Sequence, residues 1–256
     1  MHKIKAFSLR CGKEILRDPL SYIFCVGFPL VMLAVMTLVD RSIPKAVNMT
    51  IFRIPSLCGG VMIFGLTFVM LFTAMTVAKD RSGAFLMRMY ATPMTAADFT
   101  LGYLLPMLVI SLVQAALIAA ASLVISLLTD GGLTVGGLLL SLPAALPSAV
   151  LFASLGLMFG TLFNEKAAPG LCSIIISLGS FLGSVWFDAE ATGGVLLRIS
   201  KCLPFYYCTK SVRAAVRLEL TPDAFFMPLL VVCCCAAIIT VGAAAVFRLK
   251  MRAELA

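Results

Sequence analysis

The residue types that form or break bonds are sparse in this sequence, and their spacing does not fit the common catalytic motifs. The 256 residues include one histidine, His2, which lies at the N-terminus. No HExxH zinc motif, no GxSxG nucleophile elbow and no GxxxxGK[ST] phosphate-binding loop occurs. Neither a CxxC pair nor a Cys/His metal spacing is present. We therefore predict no catalytic residue, no metal ligand and no cofactor on this chain.

A charged segment at 79–93 is the strongest candidate for a binding surface. It opens with alternating basic and acidic residues, Gly83 permits a turn, and residues 85–90 can form a short helix that ends before Pro93. A short, partly apolar helix with basic residues is suited to a groove on another protein. The same pattern is typical of a charged linker that anchors two neighbouring helices, so the residues alone leave both alternatives open.

The composition indicates which elements must position this segment. Of the 256 residues, 61% are hydrophobic and 12% are charged, whereas a soluble domain has about 45–50% and about 25%. A soluble core cannot bury such an excess. The net charge of +8 does not indicate nucleic-acid binding, because the Lys and Arg residues stand at the ends of apolar runs, where they anchor helices at lipid headgroups. The chain is therefore predicted to be an integral membrane protein.

Six stretches contain no Asp, Glu, Lys, Arg or His, and each is long enough to cross a hydrocarbon core of about 30 Å. Such spans are helices because lipid offers no partner for unpaired backbone groups. We predict an all-α integral membrane protein in which residues 1–256 form a single transmembrane domain. The predicted spans are 22–39, 55–77, 101–128, 133–163, 170–187 and 225–247.

The distribution of Lys and Arg predicts the orientation of the spans. Six spans place both termini on one side of the membrane, together with the segments 78–100 and 164–169. That side carries 12 of the 20 Lys and Arg residues, and the positive-inside rule therefore favours it as the cytoplasmic side. We predict a multi-pass protein of the cell membrane whose N- and C-termini lie in the cytoplasm.

Two segments are neither spans nor simple loops. Residues 3–17 carry apolar side chains at helical spacing with basic side chains between them, which predicts an amphipathic interfacial helix on the cytoplasmic membrane face. A solvated basic leader is the alternative. Residues 188–222 are too polar to span and too apolar for an open loop, which predicts short re-entrant helices that dip into the outer leaflet before the last span.

A few polar residues in and between the spans suggest further contacts. Gln114 is the most polar side chain in the middle of a span and is predicted to form a hydrogen bond with another helix, with substrate contact as the alternative. Cys202 and Cys208 share a polar segment and either form a disulfide, if that segment faces an oxidising space, or remain free thiols. The predicted spans hold no ionisable residue, which argues against coupling to protons or sodium ions.

Three stretches of this sequence carry motifs of a known family. They are Glu14-Ile15-Leu16-Arg17-Asp18-Pro19 with Phe28-Pro29-Leu30, then Asp80-Arg81-Ser82-Gly83 with Arg88-Met89-Tyr90-Ala91-Thr92-Pro93-Met94 and Phe99-x-x-Gly102-Tyr103, and last Ile199-Ser200-x-x-x-Pro204-Phe205-Tyr206-Tyr207. These stretches resemble the membrane-spanning permease subunits of type-two ABC exporters. The first is similar to the family's N-terminal helix, with its Arg-Asp-Pro turn and a proline in the next span. The second resembles the loop between the second and third spans, where a coupling helix meets the ATPase, and the third is similar to the stretch before the final span.

The resemblance implies a dimer of two such permeases, identical or related, each bound to a cytoplasmic ABC ATPase subunit. The ATPase would hold ATP and Mg, and ATP binding would move the coupling helices so that the permease pair opens a path. The residues that the resemblance assigns to coupling with the ATPase are Asp80, Arg81, Gly83, Phe85, Arg88, Thr92 and Pro93. It assigns Arg17, Asp18 and Pro19 to the interfacial helix.

The resemblance favours the permease subunit of an ATP-driven ABC exporter, a transporter and not an enzyme. The expected substrate is amphipathic, such as a drug (as in multidrug efflux), an antimicrobial peptide or a lipid-like molecule. The segment 40–54 is short where many drug-exporting relatives carry a large outer domain, and Asp80 stands where the family often has Glu. The alternatives are a non-transporting membrane scaffold or immunity subunit, and an ion-coupled carrier.

Overall fold

The computed structural model describes residues 2–43, 50–83, 85–86, 94–129 and 131–255. All the regular elements in these ranges are helices, which confirms the prediction of an all-α protein. The helices are α1 (His2–Leu16), α2 (Pro19–Ser42), α3 (Ile54–Ser82), α4 (Ala96–Thr129), α5 (Val135–Leu162), α6 (Ala168–Leu182), α7 (Ala189–Thr192), α8 (Gly194–Cys202), α9 (Pro204–Arg217) and α10 (Met227–Leu255), with π-helical turns at Ile23–Gly27 within α2 and at Pro222–Phe226 before α10.

Five helical segments in the described part of the chain are long and apolar enough to cross a membrane. They are α2, α3, α4, α5 and the segment Pro222–Met251, which contains most of α10. These five correspond in order to the predicted spans 22–39, 55–77, 101–128, 133–163 and 225–247. The apolar runs of the sequence therefore predicted the positions of these five helices correctly, because each run coincides with one continuous helical segment.

The remaining predicted span, 170–187, is a shorter helix than expected. α6 ends at Leu182 and has 15 residues, which is about 22 Å at 1.5 Å per residue. A hydrocarbon core is about 30 Å thick, so α6 alone does not cross it. The helix ends because Ser184 adopts a left-handed backbone conformation (φ 59°), and the Val185 N–H donates back to the Ser180 carbonyl at 3.1 Å. The apolar run continues past this break, so run length alone overestimated the helix.

α3 forms the centre of the bundle. It packs against α4, α5, α6 and α9, and almost all of its residues are buried. Gly156 and Gly160 of α5 face the backbone carbonyls of Met70 and Ala74 in α3, and a Cβ at either glycine would overlap them. Small residues at such a crossing let two helices approach closely. α3 is therefore a tightly held helix of 29 residues that connects the two ends of the bundle.

Three short helices, α7 to α9, occupy most of the 188–222 segment, as its mixture of polar and apolar residues predicted. α9 turns an apolar face inward, and Cys208, Val212 and Val216 are buried in the same core as residues of α3 and α5. This helix is therefore part of the bundle and not an external loop. All nine cysteines of the chain are free, so Cys202 and Cys208 form no disulfide in this structure.

Gln114 lies in the middle of α4 and is completely buried. Among the described residues, neither its Oε1 nor its Nε2 atom has a hydrogen-bond partner, so the prediction of a hydrogen bond to another helix is wrong. Gly65 of α3 makes room for this amide, because a Cβ at that position would overlap the Gln114 side chain. An unpaired amide costs free energy in apolar surroundings, so packing and not hydrogen bonding holds it there.

Candidate functional site

The N-terminal helix α1 docks on α4 through one apolar face. Phe7, Cys11 and Ile15 recur every four residues and are buried, which confirms the helical periodicity predicted for 3–17. The Phe7 ring sits against Gly102 of α4, where a Cβ would overlap the ring. Burial also raises the pKa of the Cys11 thiol to about 12. The position of α1 is therefore fixed by its fit to α4.

A buried carboxylate, Asp80 near the end of α3, organises the polar contacts beside α1. Arg10 binds it with two hydrogen bonds, from Nη1 to Oδ2 at 2.6 Å and from Nη2 to Oδ1 at 2.9 Å. The Tyr103 hydroxyl of α4 donates to Oδ2 at 2.8 Å. Bidentate pairs of this kind combine charge attraction with a fixed geometry. Asp80, which is 4% exposed, thus ties together three helices.

Two further charged residues extend this contact toward the surface. Glu14 pairs with Arg10 at 2.8 Å on the same helix and with Lys79 of α3 at 3.2 Å. Partial burial opposes the charge of Arg10, but its hydrogen bonds to Asp80 and the attraction of both carboxylates raise its pKa above the ordinary value. Arg10 therefore stays charged at every physiological pH.

Aromatic rings connect the predicted coupling segment to the residues around Asp80. The Arg10 guanidinium carbon lies 3.8 Å from the centroid of the Phe85 ring, at a distance typical of a cation–π contact. Phe7 stacks on Phe85 with 6.3 Å between centroids and meets Tyr103 edge to face at 5.0 Å. We call this group the Asp80 cluster, and its members are Phe7, Arg10, Glu14, Lys79, Asp80, Phe85 and Tyr103.

Arg81 and Ser82 attach the end of α3 to α5 and to the segment that follows it. The Arg81 side chain donates to the backbone carbonyls of Gly160 and Thr161, at the end of α5. The Ser82 hydroxyl donates to Glu165 Oε2 at 3.1 Å. The start of the predicted coupling segment is therefore fastened on two sides, to α1 through Asp80 and to α5 through Arg81.

Gly83 ends α3 without the special backbone conformation that its prediction as a turn residue implied. Its φ and ψ are −81° and 147°, which any residue can adopt. Among the described residues, a Cβ there would meet only the Lys79 carbonyl, at an ordinary contact distance of 3.5 Å. The Gly83 N–H donates to the same carbonyl at 3.0 Å. The described residues around Gly83 therefore do not require a glycine.

The other predicted site residues fall into two groups. Arg88, Thr92 and Pro93 lie outside the described residues, and their assignment to coupling stays a prediction. Asp18 caps the start of α2, since its carboxylate accepts from the Leu20 N–H at 3.2 Å and from the Ser21 hydroxyl at 2.7 Å. Pro19 occupies the first helical position and Arg17 is exposed. The turn 17–19 therefore joins α1 to α2. It also lines a cavity of about 820 Å³ together with Arg10, Glu14 and Lys79 of the Asp80 cluster.

A second arginine contact, at the other end of α3, was not anticipated from the sequence. Arg213 of α9 donates from Nε to the Ser56 carbonyl at 2.9 Å, from Nη1 to Ser184 at 2.7 Å and from Nη2 to Val185 at 3.0 Å. Burial and the neighbouring Arg217 lower its pKa to about 10. We call these four residues, Arg213 with Ser56, Ser184 and Val185, the Arg213 clamp.

The Arg213 clamp depends on two glycines of α3. A Cβ at Gly59 would lie 2.9 Å from the Arg213 Cγ, and one at Gly60 would lie 2.8 Å from Nη2. A Cβ at Gly59 would also lie 3.0 Å from the Arg213 backbone, so α9 would have to shift, whereas a Cβ at Gly60 would displace only the end of the Arg213 side chain. Neither arginine pairing had a signal in the sequence, because Arg213 and Ser56 are 157 residues apart and Arg10 and Asp80 are 70 apart.

The helices of membrane-spanning length and the charged cluster at one end of the bundle define a helical multi-pass membrane protein. The sequence model of the family described as ABC-2 type transporter matches residues 2–217, which reach from α1 to the end of α9. The chain therefore belongs to the ABC-2 type transporter family, as the three resembling stretches predicted. A comparison with curated proteins gave no match. Membership makes the chain the membrane permease of an ABC transporter and implies an ABC ATPase as its partner.

Proposed function

We propose that this chain is the permease subunit of an ATP-driven exporter that works as a dimer with a separate cytoplasmic ATPase. The substrate is amphipathic, such as a drug, an antimicrobial peptide or a lipid-like molecule. The family assignment supports the permease role and the ATPase partner. The spanning helices expose aliphatic side chains to lipid, so a substrate that dissolves in the bilayer can reach them, which supports an amphipathic substrate over a strongly hydrated one.

The observation that carries this proposal is the attachment of Phe85 to α1 through Arg10, Phe7 and Asp80. Phe85 contacts α1 by a cation–π pair with Arg10 and by stacking on Phe7, and a segment that only linked two spans would not need these contacts. A displacement of the segment after Ser82 would be passed to α1 by the Arg10 contact and to α5 by Arg81. Coupling requires such contiguous, rigid contacts between the docking surface and the spans.

We further infer six membrane crossings with cytoplasmic termini. In this topology α6 and the residues after Leu182 complete the fifth crossing, and α7 to α9 re-enter the membrane from the outer side. The apolar character of α6 and the buried inner face of α9 support the proposal. Cys202, an exposed thiol at the end of α8, provides the test. A membrane-impermeant maleimide should label it in intact cells, and labelling that persists unchanged in Cys202→Ala would contradict an outer position for α8.

The experiment for the coupling role compares ATP hydrolysis by the ATPase alone and in complex with the permease, both in lipid nanodiscs. Asp80→Asn and Arg10→Gln should leave the complex assembled but reduce the effect of the permease on hydrolysis at least about fivefold, because each removes a charge-assisted contact. Lys5→Gln, an exposed residue of the same helix, is the matched control and should behave like the wild type.

The outcomes also separate the alternatives. A membrane scaffold or immunity subunit would bind its partner and leave hydrolysis unchanged in every variant. An ion-coupled carrier would move substrate without any ATPase and would depend on a proton or sodium gradient. Either result would overturn the exporter proposal.

A further inference from the structure

A basic cavity opens at the end of the bundle opposite the Asp80 cluster. Its volume is about 890 Å³, and it lies between the end of α2, the start of α3 and the ends of α4 and α9. Among the described residues that line it, the charged ones are Arg41 and Asp40 from α2, Arg53 before α3 and Arg217 from α9. Arg53 has an interaction of its own, and Arg41 and Arg217 against Asp40 still give the described lining a net formal charge of +1.

A neighbouring cavity at the same end of the molecule does not have this excess of positive charge. That cavity, of about 270 Å³, shares Arg217 but is lined by four carboxylates and three cationic side chains. Its charges are close to balance, and Glu190 there accepts hydrogen bonds from Lys210 at 2.7 Å and from Tyr206. The described lining of the basic cavity has no comparable set of acidic residues, so an anion is the ligand that its electrostatics favour.

Arg217 is held in place at the wall of the basic cavity. It donates from Nη2 to the hydroxyl of Ser56, a residue that is 2% exposed and that donates in turn to the Thr50 carbonyl at 2.9 Å. Glu219 is 3.9 Å from Nη1, which is too far for a hydrogen bond. Ser56 uses one of five guanidinium N–H donors, and 34% of the side chain is exposed, so donors remain for a ligand.

An apolar surface borders the basic cavity. Leu38 follows Thr37 of the lining and is 62% exposed, and Leu128 precedes Thr129 and is 77% exposed. Both belong to helices of membrane-spanning length, so their side chains face lipid. A ligand at this cavity can therefore place a charged group against the arginines and an alkyl chain along α2 and α4.

We propose that the basic cavity binds the phosphate group of an anionic amphiphile. Guanidinium groups match phosphate oxygens in charge and in the geometry of paired N–H donors. The phosphate would be held by Arg41 and Arg217, with its alkyl chain beside Leu38 and Leu128. The proposal concerns binding alone and does not depend on whether the chain exports a substrate.

The test uses the full-length chain, purified in a neutral detergent and titrated with lipid while bound lipid is counted by native mass spectrometry. The headgroup of phosphatidylglycerol has a net negative charge, whereas the choline ammonium balances the phosphate charge of phosphatidylcholine. We expect tighter retention of phosphatidylglycerol, and a loss of affinity of about tenfold in Arg41→Gln and in Arg217→Gln, because each removes a charged donor. Arg198→Gln, an exposed residue of α8 outside the cavity, is the matched control and should bind as the wild type does.

Two further measurements make the test decisive. Arg217→Gln also removes the contact with Ser56, so Arg41→Gln, which does not, must show the same loss. Inorganic phosphate at equal concentration should not displace phosphatidylglycerol, because it lacks the alkyl chain. Equal retention of both lipids, an unchanged preference in Arg41→Gln, or full displacement by inorganic phosphate would each overturn the assignment to an anionic amphiphile.

Discussion

The Asp80 cluster and the Arg213 clamp lie at opposite ends of α3 and solve the same problem with different chemistry. Each uses one arginine to attach a helix that does not span, α1 or α9, to the central spanning helix. Arg10 meets a carboxylate and an aromatic face, whereas Arg213 meets three backbone carbonyls. The Asp80 cluster therefore depends on paired charges, and the Arg213 clamp depends on the positions of backbone carbonyls.

This difference has a functional consequence. The partners of Arg10 are side chains, and their contacts with it can separate and form again if the helices move. The partners of Arg213 are carbonyls at the start of α3 and at the broken end of α6, and Gly59 and Gly60 fit closely around the side chain. We therefore expect the Arg213 clamp to contribute chiefly to stability and the Asp80 cluster to transmission.

The largest expected effect is the loss of the Arg213 clamp. Arg213→Met keeps the length of the side chain but leaves three carbonyls without donors, so the free energy of unfolding should fall by about 3 kcal/mol. Trp186, the only tryptophan, follows Val185 of the clamp and reports unfolding by its fluorescence. A titration with denaturing detergent gives the value, and Arg198→Met is the control. Equal stability of the two variants would show that the clamp contributes nothing.

The next largest effect on stability comes from the close packing of Gly59 against Arg213. Gly59→Ala would place its Cβ 2.9 Å from Arg213 Cγ and 3.0 Å from the backbone of α9, so α9 must shift. Overpacking of this kind costs about 2 kcal/mol, measured by the same titration. Gly242→Ala is the matched control, because a Cβ at that position in α10 meets nothing within 4 Å. If both substitutions were neutral, close fit would not explain the glycine at 59.

A double-mutant cycle measures the coupling energy of the Arg10–Asp80 pair, at the end of α3 opposite the Arg213 clamp. Arg10→Gln and Asp80→Asn, alone and together, should give a coupling energy of about 1.5 kcal/mol, because Asp80 is buried and bound twice. The pair of Lys79 and Glu14 in the same cluster is the internal comparison. It is more exposed, with 64% of the Lys79 side chain accessible, and should couple by less than about 0.5 kcal/mol. Equal coupling energies in the two pairs would contradict the view that burial strengthens the Arg10–Asp80 pair.

The smallest expected effect concerns pH at α7 and α9. Hydrogen bonds from Lys210 and Tyr206 lower the pKa of Glu190, so its contribution to stability is complete above the ordinary pKa and is lost as pH falls through the lowered value. About half of the Glu190 side chain is exposed, which limits the contribution to about 0.5 kcal/mol. Glu190→Gln should therefore be less stable than the wild type at pH 7, with the difference shrinking in acid. A difference that did not change with pH would rule out an ionic contribution.

The part of this structure that could be predicted from the sequence is the part that local pattern controls. Spanning helices follow from apolar run length, and the buried face of α1 follows from its four-residue repeat. The helix over the run 170–187 was predicted too long, because no charged residue marks the break at Ser184. Its left-handed turn instead leaves the carbonyls of Ser184 and Val185 free for Arg213.

The pairings within the site could not be predicted in the same way. Asp80 and Phe85 were identified through a family resemblance, whereas Arg10 received no role because its partner lies 70 residues away. Gln114 shows the opposite error. A polar residue in a span was expected to find a hydrogen bond, yet its position is set by the space that Gly65 leaves. Contacts between distant segments depend on the packed bundle, which no local pattern encodes.

We propose that ATPase coupling resides at the Asp80 cluster and not at the Arg213 clamp. The direct measurement is the rate of ATP hydrolysis per assembled permease–ATPase complex for Arg10→Gln and Gly59→Ala, one variant from each end. We predict a loss of at least about fivefold for Arg10→Gln, the effect of about 1 kcal/mol or more, and a rate within about twofold of the wild type for Gly59→Ala. Normal hydrolysis in Arg10→Gln with a loss in Gly59→Ala would contradict the claim.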